Sequence, residues 1–275
     1  MKRNSLILVL LVLCCLVSCA RKDGYYRIEK PRIFRGEWFD YYNRALWLIQ
    51  EGKHQQAEGD LRSAIADLDR DTWEERTYGV HFIEYFAHRE LGILLFNQGR
   101  LDESLVELET SLKQADSGRT KFYLNRVHRE LISSKGLDAT EPSITLETPD
   151  DNSTVPDYSV VLKGSAEDDT LVFAVRINGE PVFIELAEPT VDFERVVPLQ
   201  SGSNEIELEV EDIVGRKTKR TLRVGADREP PLLLVHQTEL RRGSFHLVAT
   251  LEDPGGLRSA RFGSSVLELE GHASY

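Results

Sequence analysis

A chain that is helical first and stranded second is the fold class this sequence predicts, and three observations predict it. Residues 38–136 align on themselves at an offset of 47, small residues meeting small ones and apolar residues meeting apolar ones. Past residue 136 the apolar period changes from that of helices to strict alternation. From residue 143 the chain aligns on itself again, at an offset of 85.

Before these domains comes an apolar run over 6–17, behind Lys2 and Arg3 and closed by Leu16-Val17-Ser18-Cys19. A charged start, a dozen apolar residues and a small residue before cysteine describe an export signal, since a membrane span needs roughly 20 residues. The stretch resembles a bacterial lipoprotein signal. That resemblance implies a signal peptide over 1–18, cleavage before Cys19, a diacylglycerol on its thiol and a further acyl chain such as palmitate on the new amino group. Several acyl chains, at about 0.8 kcal/mol per buried methylene, hold a membrane far longer than one. Ala20 follows the cysteine where aspartate does not, which in Gram-negative members implies the outer membrane, facing the periplasm. An ordinary secretory signal that happens to hold a cysteine is the alternative.

The composition is 41% hydrophobic, enough for real cores in 275 residues. Loss of Lys2 and Arg3 with the signal leaves 32 basic against 46 acidic residues. A balance near −14 repels phosphate backbones and disfavours nucleic acid as a partner. Cys14, Cys15 and Cys19 all lie at the signal, so the processed chain is expected to have no internal disulfide, thiolate nucleophile or cysteine metal site. Residues 19–36, with Gly24 and Pro31, show no period and read as a spacer, in which Tyr25 and Tyr26 rest at headgroup level or cap the next domain.

In the helical segment, 37–136, the offset of 47 lays Ala45 on Gly92, Leu48 on Leu95, Gly52 on Gly99, Ala57 on Ser104 and Leu61 on Leu108. Each copy reads as helix, glycine turn, helix, with small residues where helices approach closely. With Tyr41 and Arg44 at the head of one copy and His88 and Leu91 at the head of the other, the pattern resembles the tetratricopeptide repeat. Arg44 and His88 depart from it, and Asp69 and Asp116 stand where a closing proline is usual. The resemblance implies stacked helical hairpins whose concave face receives a protein or peptide partner.

That family's period is 34, so 13 residues are extra, and they belong to 71–86. Thr72 followed by Glu75 predicts a capped helix start and one long first helix in the second repeat. Trp73, Tyr78, Phe82, Tyr85 and Phe86 crowd it with rings, and the spacing of Tyr78, Phe82 and Phe86 puts three on one helical face. These five are the candidate partner-binding residues; packing against a neighbouring helix or domain is the alternative. A last helix over 120–134, with Phe122, Val127, Leu131 and Ile132 turned inward, is expected to cap the stack.

Residues 141–225 predict an antiparallel β-sandwich of about seven strands. Glu205-Ile206-Glu207-Leu208-Glu209-Val210-Glu211 alternates cleanly between a buried and a wet face, and Asn178-Gly179 suits a two-residue hairpin turn. The pattern resembles the immunoglobulin-like modules of bacterial surface and periplasmic proteins, without the core disulfide and tryptophan of antibody domains. At the offset of 85 Leu162 falls on Leu247, Glu167-Asp168 on Glu252-Asp253 and Arg176 on Arg261, so 229–275 reads as a partial second module. Three readings follow: the sequence is a fragment, the remnant packs on the first module, or a partner adds the missing strands.

No phosphate-binding glycine loop, Gly-x-Ser-x-Gly elbow or His-Glu-x-x-His stretch occurs. His81, Glu84 and His88, at i, i+3 and i+7 of the expected helix, lack a fourth metal ligand, and helix surface is the better reading. The acidic stretches at 167–169, 211–212 and 252–253 read as turn chemistry, with calcium as the alternative. The expectation is a lipid-anchored adaptor of the cell envelope that is no enzyme and uses no cofactor or metal. A cell-surface module binding glycan or matrix through its strand domains is the runner-up.

Overall fold

The computed structural model describes residues 29–31, 33–241, 244–253, 260–262 and 265–267; the signal, Cys19, Tyr25 and Tyr26 lie outside the described residues. The chain divides into two compact units, Met1–Asp116 and Ser117–Tyr275.

The first unit runs α1 (Trp38–Gln50), α2 (His54–Asp67), β1 (Thr72–Arg76), β2 (Phe82–Tyr85), α3 (Ala87–Asn97) and α4 (Leu101–Gln114). Shifting α2 by 47 residues gives the bounds of α4, and Gly52 and Gly99 turn the chain in the left-handed region at φ 72° and 76°. The small residues are where helices touch. A Cβ on Gly92 of α3 would lie 2.6 Å from Leu108 Cγ of α4, and Ser104 Oγ donates to Gly92 O at 2.7 Å. Arg44, which occupies the place of Leu91 in the other copy, has a different use. It pairs with Asp60 of α2 at 2.6 Å and lies 3.9 Å from the Phe34 ring centroid. With Lys30 over Trp47 at 5.4 Å and Phe34 edge-on to Tyr41 at 5.0 Å, the described end of the expected spacer lies along α1.

The long helix expected over 71–86 is instead the antiparallel hairpin β1–β2, paired Glu75↔Ile83 and Arg76↔Phe82. Thr77 N donates to His81 O at 2.9 Å across a tip whose Gly79 sits at φ 56°. Threonine, isoleucine and aromatic residues favour extended backbone. Helix α3 starts only at Ala87, because the Asp71 carboxylate accepts from His88 N and Arg89 N at 3.1 Å each and caps it there. Thr72 and Glu75 therefore open a strand, and Tyr78, Phe82 and Phe86 do not share a helical face.

The second unit opens with α5 (Gly118–Lys135), capped by Ser117 Oγ, which accepts from Thr120 N, and stopped by Gly136 at φ 60°. This helix is bonded to the strands. Lys121 pairs with Glu185 at 2.8 Å, Asn125 accepts from Ala187 N at 2.9 Å, and Arg129 donates to Ile213 O at 2.8 Å. The boundary thus falls inside the segment 37–136, and the helix expected to close the stack is compact with the β region.

Strands β3 (Ser143–Thr148), β4 (Ser153–Val155), β5 (Ser159–Ile177), β6 (Glu180–Val182), β7 (Glu188–Pro198), β8 (Gly202–Asp212) and β9 (Lys217–Ala226) follow. The register of β5 breaks near its middle. Its first half pairs with β3 and β7, its second with β6 and β8, and β9 joins β8 to the parallel edge strand β4. Both halves feed one core of Leu162, Val175, Phe193, Ile206, Leu208 and Leu222. Asn178 and Gly179, at φ 52° and 79°, make the β5–β6 turn. On the wet face of β8 the glutamates meet a row of cations: Glu207 with Lys219 at 2.7 Å, Glu209 with Lys217 at 2.9 Å, Glu211 with Arg176 at 2.9 Å. The Lys217 and Lys219 ammonium groups pull the Glu209 carboxyl down to about 2.

Beyond residue 231, β10 (Leu232–Arg241) and β11 (Ser244–Glu252) pair as a ribbon, and β12 (Ala260–Phe262) pairs with β13 (Ser265–Leu267). Shifting the β7-paired part of β5 by 85 residues gives β11, and the same shift of β6 gives β13. The first strand does not follow the copy: Leu232 stands opposite Glu252, four residues off the Ser143↔Glu167 register.

Candidate docking surface

Alternation along β2 decides which rings the hairpin shows. Tyr85 and Ile83 point into the helical unit, while Phe82 and Glu84 point out. Tyr85 is fully buried, edge-on to Trp38 at 4.7 Å and Tyr42 at 5.0 Å, and its hydroxyl donates to Leu68 O at 2.9 Å. Burial pushes both the Tyr42 and the Tyr85 phenol well up. Phe86 is fully buried too, with Trp73 packed on it at 4.8 Å.

Of the five candidate residues, Tyr85 and Phe86 are therefore core, Tyr85 as the inward ring of β2 and Phe86 as the residue that opens α3. Trp73, Tyr78 and Phe82 remain outside, at 53%, 62% and 48% exposure. Trp73 is held by its indole N–H, which donates to Asp116 O at 3.0 Å. Tyr78 stacks parallel to His81 at 5.2 Å and reaches Phe39 of α1 at 6.0 Å. Phe39 was not among the candidates; the aromatic run Trp38-Phe39-Asp40-Tyr41-Tyr42 was the available signal. Val80, at the tip, is 92% exposed.

No family model matches the chain. No curated protein matches it either. Among solved structures it is similar to one described as "Structures of Clostridium thermocellum CbhA fibronectin(III)-like modules", at 16% identity and a TM-score of 0.25, over 32% of this chain and 47% of that one. The chain thus spans about half the length of that neighbour.

His81, Glu84 and His88 do not converge. His81 sits in the hairpin turn, where its Nδ1 is 2.8 Å from Thr77 Oγ1, Glu84 lies on β2 and His88 on α3. The acidic stretches build turns: Asp168 Oδ2 accepts from Thr170 N, Asp169 from Ala139 N, and Asp212 Oδ1 from the amides of Val214, Gly215 and Arg216. Among the described residues no group of three or more His, Cys, Asp or Glu is arranged to hold a metal, and no helix is long and apolar enough to cross a membrane.

What anchors the hairpin's root is His88. Its Nδ1 lies 2.6 Å from Glu107 of α4 and its Nε2 2.7 Å from Asp69, in a ring only 9% exposed. Burial pushes the imidazole pKa down, but the bonds from Glu107 and Asp69 outweigh it and hold the pKa above its usual value. The folded form therefore binds its proton more tightly than the unfolded form does. Stability from this clamp is complete below about pH 6.5 and is lost as pH rises through the folded pKa. All three tryptophans, Trp38, Trp47 and Trp73, lie in this unit, so their fluorescence follows it alone. The urea midpoint read by tryptophan is expected to fall between about pH 6 and pH 9, and His88→Gln to flatten that fall.

Proposed function

We propose that this chain is a lipid-anchored, non-enzymatic adaptor of a bacterial cell envelope that receives a protein or peptide partner on its β1–β2 hairpin. The observation that carries the reading is the set of three large rings, Trp73, Tyr78 and Phe82, left half in water on one short hairpin whose other two rings are core. Aromatic side chains of this kind dominate binding energy when a partner desolvates them. The helical hairpins resemble tetratricopeptide repeats, which hold the site on rigid packed helices, and the strand unit, resembling an immunoglobulin-like module, serves as spacer or second contact. The lipoprotein-like signal ending at Cys19 puts the acyl anchor at the amino terminus, in the outer membrane facing the periplasm if the host is Gram-negative.

A photocrosslinking residue placed at Glu84, on the outward face of β2, is expected to capture one protein in intact cells; the same residue at Lys219, inside the charged ladder, is not. Trp73→Ala, Tyr78→Ala and Phe82→Ala together are expected to cut that capture at least tenfold. A folded triple variant that keeps its adduct overturns the docking surface. In the same cells Cys19→Ser is expected to lose labelled palmitate and membrane association; retention of both overturns the anchor.

A further inference from the structure

In the second unit three segments border an open cleft of about 340 Å³: strand β4, the turn between β7 and β8, and the residues that follow β9. Thr154, Ser201, Gly202, Asp227, Arg228 and Glu229 line it. Such a volume lies at the lower end of small-molecule sites. The walls are held before any ligand arrives. Asn204 fastens the turn, accepting from Gln200 N at 2.8 Å and donating to Gln200 O and Gly202 O at 2.8 and 3.1 Å. Arg228 is held by Ser201 Oγ at 3.0 Å and Leu199 O at 2.8 Å, with its guanidinium 4.0 Å from the Tyr158 ring centroid. Asp227 N donates to Val155 O at 3.0 Å, which ties the third segment to β4.

The polar inventory of the cleft is mixed. Ser201 Oγ accepts from Arg228, so its own proton is available to a ligand acceptor. Asp227 Oδ1 accepts from Glu229 N and Oδ2 remains an acceptor, and Glu229 adds a second carboxylate. One buried polar atom of a lining residue stands without a partner, Arg228 Nε. A buried orphan of this kind is uncommon and costly in folded proteins. An anion would meet two carboxylates at the rim. A neutral polyol suits donors and acceptors side by side, because each of its hydroxyls both donates and accepts.

From this geometry we infer that the cleft between β4, the β7–β8 turn and the post-β9 segment is a binding site for a neutral carbohydrate. It belongs to the second unit and the hairpin to the first, and the two are separable by experiment. Titration of the full chain with maltotriose, cellotriose and chitotriose, followed by saturation-transfer NMR and calorimetry, is expected to show at least one binding with a millimolar dissociation constant. Ser201→Ala, at an exposed position, is expected to weaken it about fivefold, the worth of one hydrogen bond. Thr154→Trp, which fills the mouth from an exposed strand position, is expected to abolish it, and Tyr78→Ala to leave it unchanged. Absence of binding by all three sugars, binding that survives both cleft substitutions, or displacement of the sugar by inorganic phosphate overturns the assignment.

Discussion

Gly164→Ala is expected to be the most damaging single-methyl change in the strand unit, costing about 3 kcal/mol or more. A Cβ at this position would run into the backbone carbonyl of Thr145 on β3 and stand 3.0 Å from Phe193 Cζ on β7 and 3.2 Å from Leu146 Cα. The neighbour on β7 is a side chain, the Phe193 ring, and the other two are backbone atoms of β3. Neither can withdraw without breaking a ladder. Gly225→Ala is the control. Its nearest neighbour is the side chain of Thr154, at 2.9 Å to Oγ1, which can rotate away, so a smaller loss is expected. Calorimetry of the full chain reads both variants, and tryptophan fluorescence, confined to the helical unit, is expected to stay at the wild-type midpoint. Since a domain has only about 5–15 kcal/mol in hand, a loss of this size should lower the strand-unit transition temperature by about 10 °C or more. A Gly164→Ala protein as stable as Gly225→Ala would mean that β3 and β7 do not clasp β5 as described.

How much of this was legible in the sequence depends on how local each feature is. The second helix of each repeat could be read, because Ala57, Leu61 and Ala64 and their copies Ser104, Leu108 and Ser111 recur at one period only. The wet and dry faces of β8 were legible for the same reason. The hairpin was not. Tyr78, Phe82 and Phe86 are spaced by four, which is two strand repeats and nearly one helical turn, so the spacing alone cannot choose. The arbiters were Gly79, free to take positive φ at the tip, and Asp71, whose carboxylate starts the next helix at Ala87 rather than just after Thr72. The cleft lay beyond reading altogether. Its lining comes from residues 154, 201–202 and 225–229, which the antiparallel pairing of β8 with β9 and the parallel pairing of β4 with β9 bring together.

Whether the hairpin's rings serve folding or docking is decided by comparing Tyr85→Ala with Phe82→Ala, three residues apart on one strand. Tyr85 is wholly enclosed by Trp38, Tyr42 and the core of α1–α3, so its truncation removes a large buried ring and leaves a cavity. A loss of about 3–5 kcal/mol is expected, seen as a collapse of the urea midpoint in tryptophan fluorescence. Tyr85→Phe keeps the ring and loses only the bond to Leu68 O, so about 1 kcal/mol is expected. Phe82, 48% exposed opposite Arg76, should cost within about 1 kcal/mol when truncated, while crosslinking at Glu84 falls. The opposite pattern, a stable Tyr85→Ala and an unfolded Phe82→Ala, would mean that the strand presents its other face to the helices. Register on a two-stranded ribbon admits only those two answers, because a slip of one residue exchanges every ring between core and surface.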